Sequence, residues 1–233
     1  VVSVFVNPLQ FGAGEDLADY PRDLAADVAL CEARGADLVF DPAVAEVYPD
    51  ESTELSAPVG AVARPLEGER RPTHFVGVVE VVSRLFRTVG PCHAFFGEKD
   101  FQQLQVIRTM VEDLSMPINI VGVPTRRQED GLAMSSRNGY LSAEQRATAT
   151  RIYAAMEQMR EAICARQDSY ADIERKASQS LMSAGLKPEY VTIRNAKNLQ
   201  PAEPGDQQLV ILMAAFMGTT RLIDNMQITL DQA

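Results

Sequence analysis

The stretch "FFGEKDFQQLQVIRTMVEDL", residues 95–114, decides the fold. An apolar, strand-like run over residues 93–96 stops at Gly97 and passes through Glu98-Lys99-Asp100. It then enters a pattern that sets Phe101, Leu104, Ile107 and Val111 on one helical face. A lysine at a helix start is badly placed, because the free N–H groups there already carry partial positive charge, and the cost is ~0.3–1 kcal/mol. Two readings stand. Lys99 is a solvated residue at an ordinary helix start, or it waits with the helix amides for a phosphate. In the second reading Asp100 accepts hydrogen bonds from a ribose, and Gly97 lets a nucleotide approach the backbone closely. No Walker A or G-x-G-x-x-G run is present, so this is neither a P-loop nor a dinucleotide fingerprint.

The same strand-to-helix alternation extends outward. Residues 1–6 form a β-branched and aromatic run, expected to be buried on both faces of a parallel sheet. Asn7-Pro8 stops it, and a loop with Gly12 and Gly14 follows. Residues 23–34 read as a helix with Leu24, Val28 and Cys31 inward and Gly35 at its end. Residues 36–40 read as a second strand, and 49–72, rich in Pro, Gly and charge, as a long irregular segment. A strongly apolar helix over 74–88 ends before Gly90-Pro91. Strand 93–96, helix 99–114 and strand 118–123 complete an α/β pattern of parallel strands with right-handed crossovers. Ligands of such a sheet bind beyond the carboxyl ends of its strands. Asn7 and Gln10, residues 97–100, and residues 124–137 occupy those ends.

After Gly139 the pattern changes. Ser142 and Gln145 have the spacing of a capping box, opening a long helix through about residue 165. A second helix is expected over about 169–184, then strands over 189–195, 208–217 and 220–228. The expected organisation is therefore a Rossmann-like parallel-sheet, nucleotide-binding domain over residues 1–139, followed by a small α+β domain over 140–233.

The 233 residues carry a formal charge of −10, which excludes general nucleic-acid binding but leaves room for a few local cations around a small anion. Cys31, Cys92 and Cys164 are odd in number, far apart and without metal spacing, so they read as buried thiols of a reducing, cytoplasmic compartment. No 18-residue apolar run indicates a membrane span. The two histidines, His74 and His93, fall in no metal-ligand spacing and no Ser-His-Asp order.

A second stretch, "DGLAMSSRNGYLS" at residues 130–142, is either an ordinary polar loop or a phosphate site. As a phosphate site it offers hydroxyl donors from Ser135 and Ser136, a guanidinium fork from Arg137, and flanking glycines that permit closure. In "NPLQFG", Asn7 either makes a turn with Pro8 or faces a ligand. Gln10 is either a surface residue or shares a crevice with Gln103, one turn into the Lys99 helix.

Placed in one frame, these residues give a sequence that resembles the pantothenate synthetase (pantoate–β-alanine ligase) family. The resemblance runs through "VFVNPLQFGAGEDLADYPRD", "RPTHFVGV", "FFGEKDFQQL", "VGVPTRR", "DGLAMSSRNGYL" and "GTTRLIDN" and covers nearly the whole chain. It implies an AMP-forming ligase that uses ATP and Mg²⁺ to turn D-pantoate into pantoyl adenylate, which the amine of β-alanine then resolves to pantothenate. It further implies that Gln10 and Gln103 hold pantoate, with Gln10 and Asn7 beside β-alanine. Gly97, Glu98, Lys99 and Asp100 would bind ATP, with Lys99 on the phosphates and Asp100 on the ribose. Met134, Ser135, Ser136 and Arg137 match the family's closing loop over the triphosphate, and Arg126 would lie near the adenine. Lys99, Ser135, Ser136 and Arg137 would be the catalytic set. A homodimer through the nucleotide-binding domain is also implied, with which an apolar edge near residues 75–89 is compatible.

The sequence departs from the family at its start. The family opens with a strand, a Met-Gly-Ala-Leu-His-x-Gly-His type of loop and a helix, whereas this sequence begins after them, in mid-strand and without Met. Neither His74 nor His93 stands in such a pattern. The expectation is a further N-terminal segment in the natural protein. The alternatives are a truncated, non-catalytic binding module or another adenylyl-transferring enzyme.

Overall fold

The computed structural model describes residues 1–12, 17–18, 20, 22–49, 58–166 and 168–230. Their contacts group the chain into two units, one of residues 1–94 and 106–120 and one of residues 95–105 and 121–233. Position 139 lies inside the second unit.

In the first unit, β1 (Val2–Ser3) pairs in parallel with β2 (Val39–Phe40), Val2 opposite Val39 and Ser3 opposite Phe40. The expected six-residue buried strand is thus two residues long and exposed. The reason is that its sheet has two strands, so neither of its faces is enclosed as in a larger doubly covered sheet. Helix α1 (Leu24–Ala33) begins where the sequence indicates, because the Asp23 carboxylate accepts the Ala26 N–H at 3.0 Å. It ends before Gly35, whose φ of +77° is the left-handed turn that glycine adopts cheaply. Its expected inward face is not inward. Leu24 and Val28 are exposed and Cys31 is half-buried, while Leu30 is exposed as well. Apolar residues lie all round this helix, so it presents no single stripe for burial.

Residues 50–57 of the expected irregular segment, and Gly14 of the first loop, lie outside the described residues. Around them the chain forms α2 (Val44–Val47), a 3-10 turn at Ala61–Ala63 and α3 (Glu67–Arg70). Helix α4 (His74–Val89) carries the apolar side chains of this unit. Phe75, Val78, Val79, Val82 and Phe86 recur at helical spacing and are all buried, each worth roughly 1.5–3 kcal/mol. Their burial within the chain accounts for most of the apolar character of residues 75–89, while Val89 at the helix end is exposed.

β3 (Cys92–Gly97) and β4 (Ile118–Val123) form a second two-stranded sheet, joined by a 3-10 turn at Glu98–Asp100 and α5 (Phe101–Asp113). Phe101, Leu104, Ile107 and Met110 are almost fully buried along α5, as their spacing requires. The second unit continues into α6 (Ala143–Ala149), α7 (Arg151–Ala165) and α8 (Tyr170–Ser183). The capping box is present, with Gln145 N–H on Ser142 Oγ at 3.2 Å and Ser142 N–H on Gln145 Oε1 at 3.0 Å. The single long helix expected here is broken at Thr150. Its hydroxyl donates to Ala147 O at 2.7 Å, the kind of back-bond that bends a helix.

The three-stranded antiparallel sheet β5 (Lys187–Asn195), β6 (Gln208–Met217) and β7 (Thr220–Thr229) has β6 in the middle. Leu209, Ile211 and Met213 of β6 pack with Ile152, Met156 and Met159 of α7 and with Ile173 and Leu181 of α8 into one core. All three cysteines are free thiols. Cys31 and Cys92 are half-buried and Cys164 is exposed, so the reading of buried thiols does not hold.

Gly77 lies inside α4, where a Cβ would collide with the backbone of Leu9 and Gln10. Gly77→Ala gains helix propensity of about 1 kcal/mol, but overpacking against backbone outweighs it. A net loss of about 1–3 kcal/mol is expected from denaturant midpoints. A raised midpoint would show that the turn after β1 does not depend on this glycine.

Candidate nucleotide and carboxylate site

Asn7 and Gln10 belong to the first unit. Asn7 is 1% exposed and caps the 3-10 turn Pro8–Gln10. Its Oδ1 accepts the Leu9 N–H at 3.2 Å and the Tyr48 hydroxyl at 2.8 Å, while its Nδ2 donates to Gly77 O at 2.9 Å. Asn7 therefore makes the turn with Pro8, and its side chain is engaged on both atoms. Gln10 is held chiefly through its backbone, its Oε1 accepting from Asn7 Nδ2 at a long 3.5 Å. Its carbonyl accepts from Arg71 Nη2 at 3.3 Å and lies 2.9 Å from His74 Nδ1. A carbonyl only accepts, so that nitrogen of His74 carries a proton.

A polar chain supports this turn. The Arg84 guanidinium donates to the buried Glu80 at 2.6 Å and to Val47 O at 3.1 Å, and it stacks 5.2 Å over the Tyr48 ring. Burial, and secondly the Glu80 charge, push the Tyr48 phenol up to about 12 against the opposing effect of Arg84.

The other candidate residues belong to the second unit. Gly97 has φ of −65°, and an added Cβ would meet nothing within 4 Å, so neither conformation nor packing demands glycine there. Lys99 lies in the 3-10 turn before α5 rather than in the helix itself, half-buried, with its ammonium 4.0 Å from Asp100 Oδ1. Gln103 stands half-buried on the first turn of α5. Arg126 is exposed, and its carbonyl accepts the Met134 N–H at 2.9 Å. Ser135 caps a 3-10 helix, Ser136–Tyr140, by accepting the Arg137 N–H at 3.3 Å; Met134 and Ser136 are exposed and Arg137 half-buried.

Lys99, Ser135, Arg137, Asn138, Arg221 and Asp224 line one cleft of about 20 Å³. The fold thus brings the Lys99 turn and the 134–137 loop together around a strip rich in cations, the chemistry that receives phosphate oxygens. At that volume the cleft does not enclose a nucleotide. A much larger cavity of about 760 Å³, lined by Ile163, Tyr170, Pro204 and Leu230 among others, shares no residue with it.

Asn225 and Arg127 were not singled out by sequence. Asn225 Nδ2 donates to Glu98 O and Lys99 O, both at 2.8 Å. Arg127 makes a two-pronged pair with Asp224 at 2.6 and 2.9 Å and donates to Gly131 O at 3.1 Å. Side-chain partners 97 to 127 residues apart leave no local signal in the sequence. No group of three or more His, Cys, Asp or Glu side chains suited to a metal is found among the described residues.

The class this geometry defines is an α/β protein with a lysine-bearing strand-to-helix turn. Residues 1–227 match the family described as pantoate-beta-alanine ligase. A pantothenate synthetase of Pseudomonas putida (strain W619) is 53% identical over 235 residues, covering 100% of this chain and 81% of that protein. The crystal structure of pantothenate synthetase from Thermus thermophilus superposes with a TM-score of 0.90 at 45% identity, covering 96% of this chain and 81% of that one. The pantoate–β-alanine ligase of Francisella tularensis, solved with a β,γ-ATP compound and β-alanine, gives 0.77 at 32% identity, covering 97% and 77%.

The chain belongs to the pantoate–β-alanine ligase family. Its fold is accordingly Rossmann-like α/β followed by the smaller antiparallel part.

The Tyr48 phenol gives a pH test of the first unit. The folded phenol keeps its proton up to about 12, whereas an unfolded tyrosine loses it near 10. Its contribution is intact below pH of about 10 and is lost between about 10 and 12. Tyr48→Phe should flatten the fall of the unfolding midpoint over that range, though not abolish it, because Tyr153 and Tyr170 are also raised. An unchanged slope would show that Tyr48 is solvated.

Proposed function

We propose that the chain joins D-pantoate to β-alanine in two steps through pantoyl adenylate. A pantoate carboxylate oxygen attacks the α-phosphorus of ATP in line, and pyrophosphate leaves with the electrons of the broken P–O bond. The neutral amine of β-alanine then attacks the acyl carbon, loses a proton and expels AMP, giving pantothenate. Catalysis of this kind is positioning and charge stabilisation, with no covalent protein nucleophile.

The observation that carries the reading is the convergence of Lys99, Ser135 and Arg137 on one cleft. In this reading Lys99 and Arg137 take the phosphate charge, Ser135 and Ser136 donate hydroxyls, and Met134 closes over the nucleotide. Gly97 and Glu98 contact it through backbone, Asp100 accepts from the ribose, and Arg126 meets the adenine. Gln10 and Gln103 hold pantoate, with Asn7 and Gln10 beside β-alanine. Mg²⁺ arrives on the triphosphate as part of the substrate, the usual mode for this ion. The reading includes a cytoplasmic homodimer. No helix among the described residues is long and apolar enough to cross a membrane.

Pantoate-dependent ATP–pyrophosphate exchange, with Mg²⁺ and without β-alanine, tests the first step. Exchange is expected with pantoate alone among small hydroxy acids, and its absence would overturn the proposal. Lys99→Ala should lower it by about 100-fold or more while the melting temperature holds, because the lysine opposes the helix it precedes. Gln10→Ala should chiefly raise the pantoate KM, since the fold holds this residue by its carbonyl. An unchanged pantoate dependence would remove Gln10 from the site.

A further inference from the structure

We infer that Asn225, on β7, is a positioning residue for adenylation, holding the Lys99 turn with its amide pointed at the nucleotide. The inference rests on the reading above. Asn225 is 4% exposed and donates both side-chain hydrogens to consecutive carbonyls, Glu98 O and Lys99 O, each at 2.8 Å. Both partners are acceptors, so the group facing them is the NH₂.

The consequence is set by peptide geometry. In a planar trans peptide the C=O of one residue points opposite to the N–H of the next. Drawing the Glu98 and Lys99 carbonyls onto β7 turns the Lys99 and Asp100 N–H groups away from the strand. Within the 3-10 turn the Lys99 N–H has no acceptor, so this amide is presented to an incoming anion together with the Lys99 ammonium.

The clamp is itself fixed. Asn225 N–H donates to Asp224 Oδ1 at 2.8 Å, and Asn225 O accepts from Arg127 Nη2 at 3.2 Å. Arg127 also stacks 4.4 Å over the Tyr153 ring. Two residues along, on the same face of the strand, Gln227 Nε2 donates to the Glu98 carboxylate at 3.1 Å. The middle of β7 thus ties both segments of the proposed nucleotide site. Asn225 and Gln227 hold the Lys99 turn, while Asp224, through Arg127 and Gly131, holds the start of the 134–137 loop.

The test is pyrophosphate exchange by Asn225→Ala, Asn225→Asp and Gln227→Ala, with amide hydrogen exchange over residues 98–103. Asn225→Ala should raise the ATP KM by about tenfold or more and lower the exchange rate, with the pantoate KM changed by less than about twofold. Asn225→Asp should be worse, because it sets a carboxylate against two carbonyls. Gln227→Ala, an exposed position, should raise the ATP KM by about threefold. Residues 98–103 should exchange faster in Asn225→Ala while β6 stays protected.

A rate that falls only with the folded fraction, both KM values unchanged, would overturn the inference. If Asn225→Ala does not fold, Gln227→Ala decides, and an unchanged ATP KM counts against it. A wild-type protein without exchange activity would refute the proposed function instead. Hydrogen exchange over 98–103 in the variants then still decides whether the clamp holds the turn.

Discussion

The second unit depends on the pair between Arg127 and Asp224. Asp224 is 4% exposed, and a carboxylate that dry is tolerated only when its oxygens are met by donors. The fork of Arg127 meets both, and its remaining capacity reaches Gly131 O, Asn225 O and the Tyr153 face. A lysine would supply a point charge without the fork and could not reproduce that set. Removing one member of such a buried pair generally costs about 3–5 kcal/mol, because the other is left uncompensated. Here the disturbance would reach the loop that follows β4 and the turn that precedes α5 together, since both are tied to β7.

The first unit solves a related problem with weaker groups. Glu80 is buried on the core helix α4, and Arg84 one turn later neutralises it. The same guanidinium covers Tyr48, whose hydroxyl reaches Asn7, whose amide reaches Gly77. The turn carrying Gln10 is therefore anchored from three sides, and the Gln10 side chain adds only a long contact to Asn7 Nδ2 at 3.5 Å.

Much of this was legible in the residues. The β4 boundaries, the Ser142–Gln145 box, the glycine stops at Gly35 and Gly90, and the turn around Lys99 follow from local rules about periodicity, capping and left-handed backbone. For the 134–137 loop the residues alone leave both an ordinary polar loop and a phosphate site open, because hydroxyls and a guanidinium serve either. What escaped depended on distant neighbours. The run at residues 1–6 looks buried, but burial belongs to the sheet rather than to the strand, and β1 has one partner. The inward face assigned to α1 failed because a helix apolar all round gives no direction. The break at Thr150 accompanies a hydroxyl bond to Ala147 O that the apolar periodicity does not register. "GTTRLIDN" carried the resemblance to the family, yet nothing within eight residues says that its last member bonds a turn 126 positions earlier.

That separation bears on how the protein comes into being. The hydrogen bonds from Asn225 to Glu98 and Lys99 close loops of 127 and 126 residues, among the costliest contacts in the chain to form by diffusion. During synthesis, helix α5 and the segment around Lys99 leave the ribosome well before residue 225 exists. A nascent chain can therefore build its local helices early and still lack the strand that trues the Lys99 turn. The turn is completed only when β7 has been made and paired with β6, so a ribosome stalled before that point releases a chain with the lysine but without its setting.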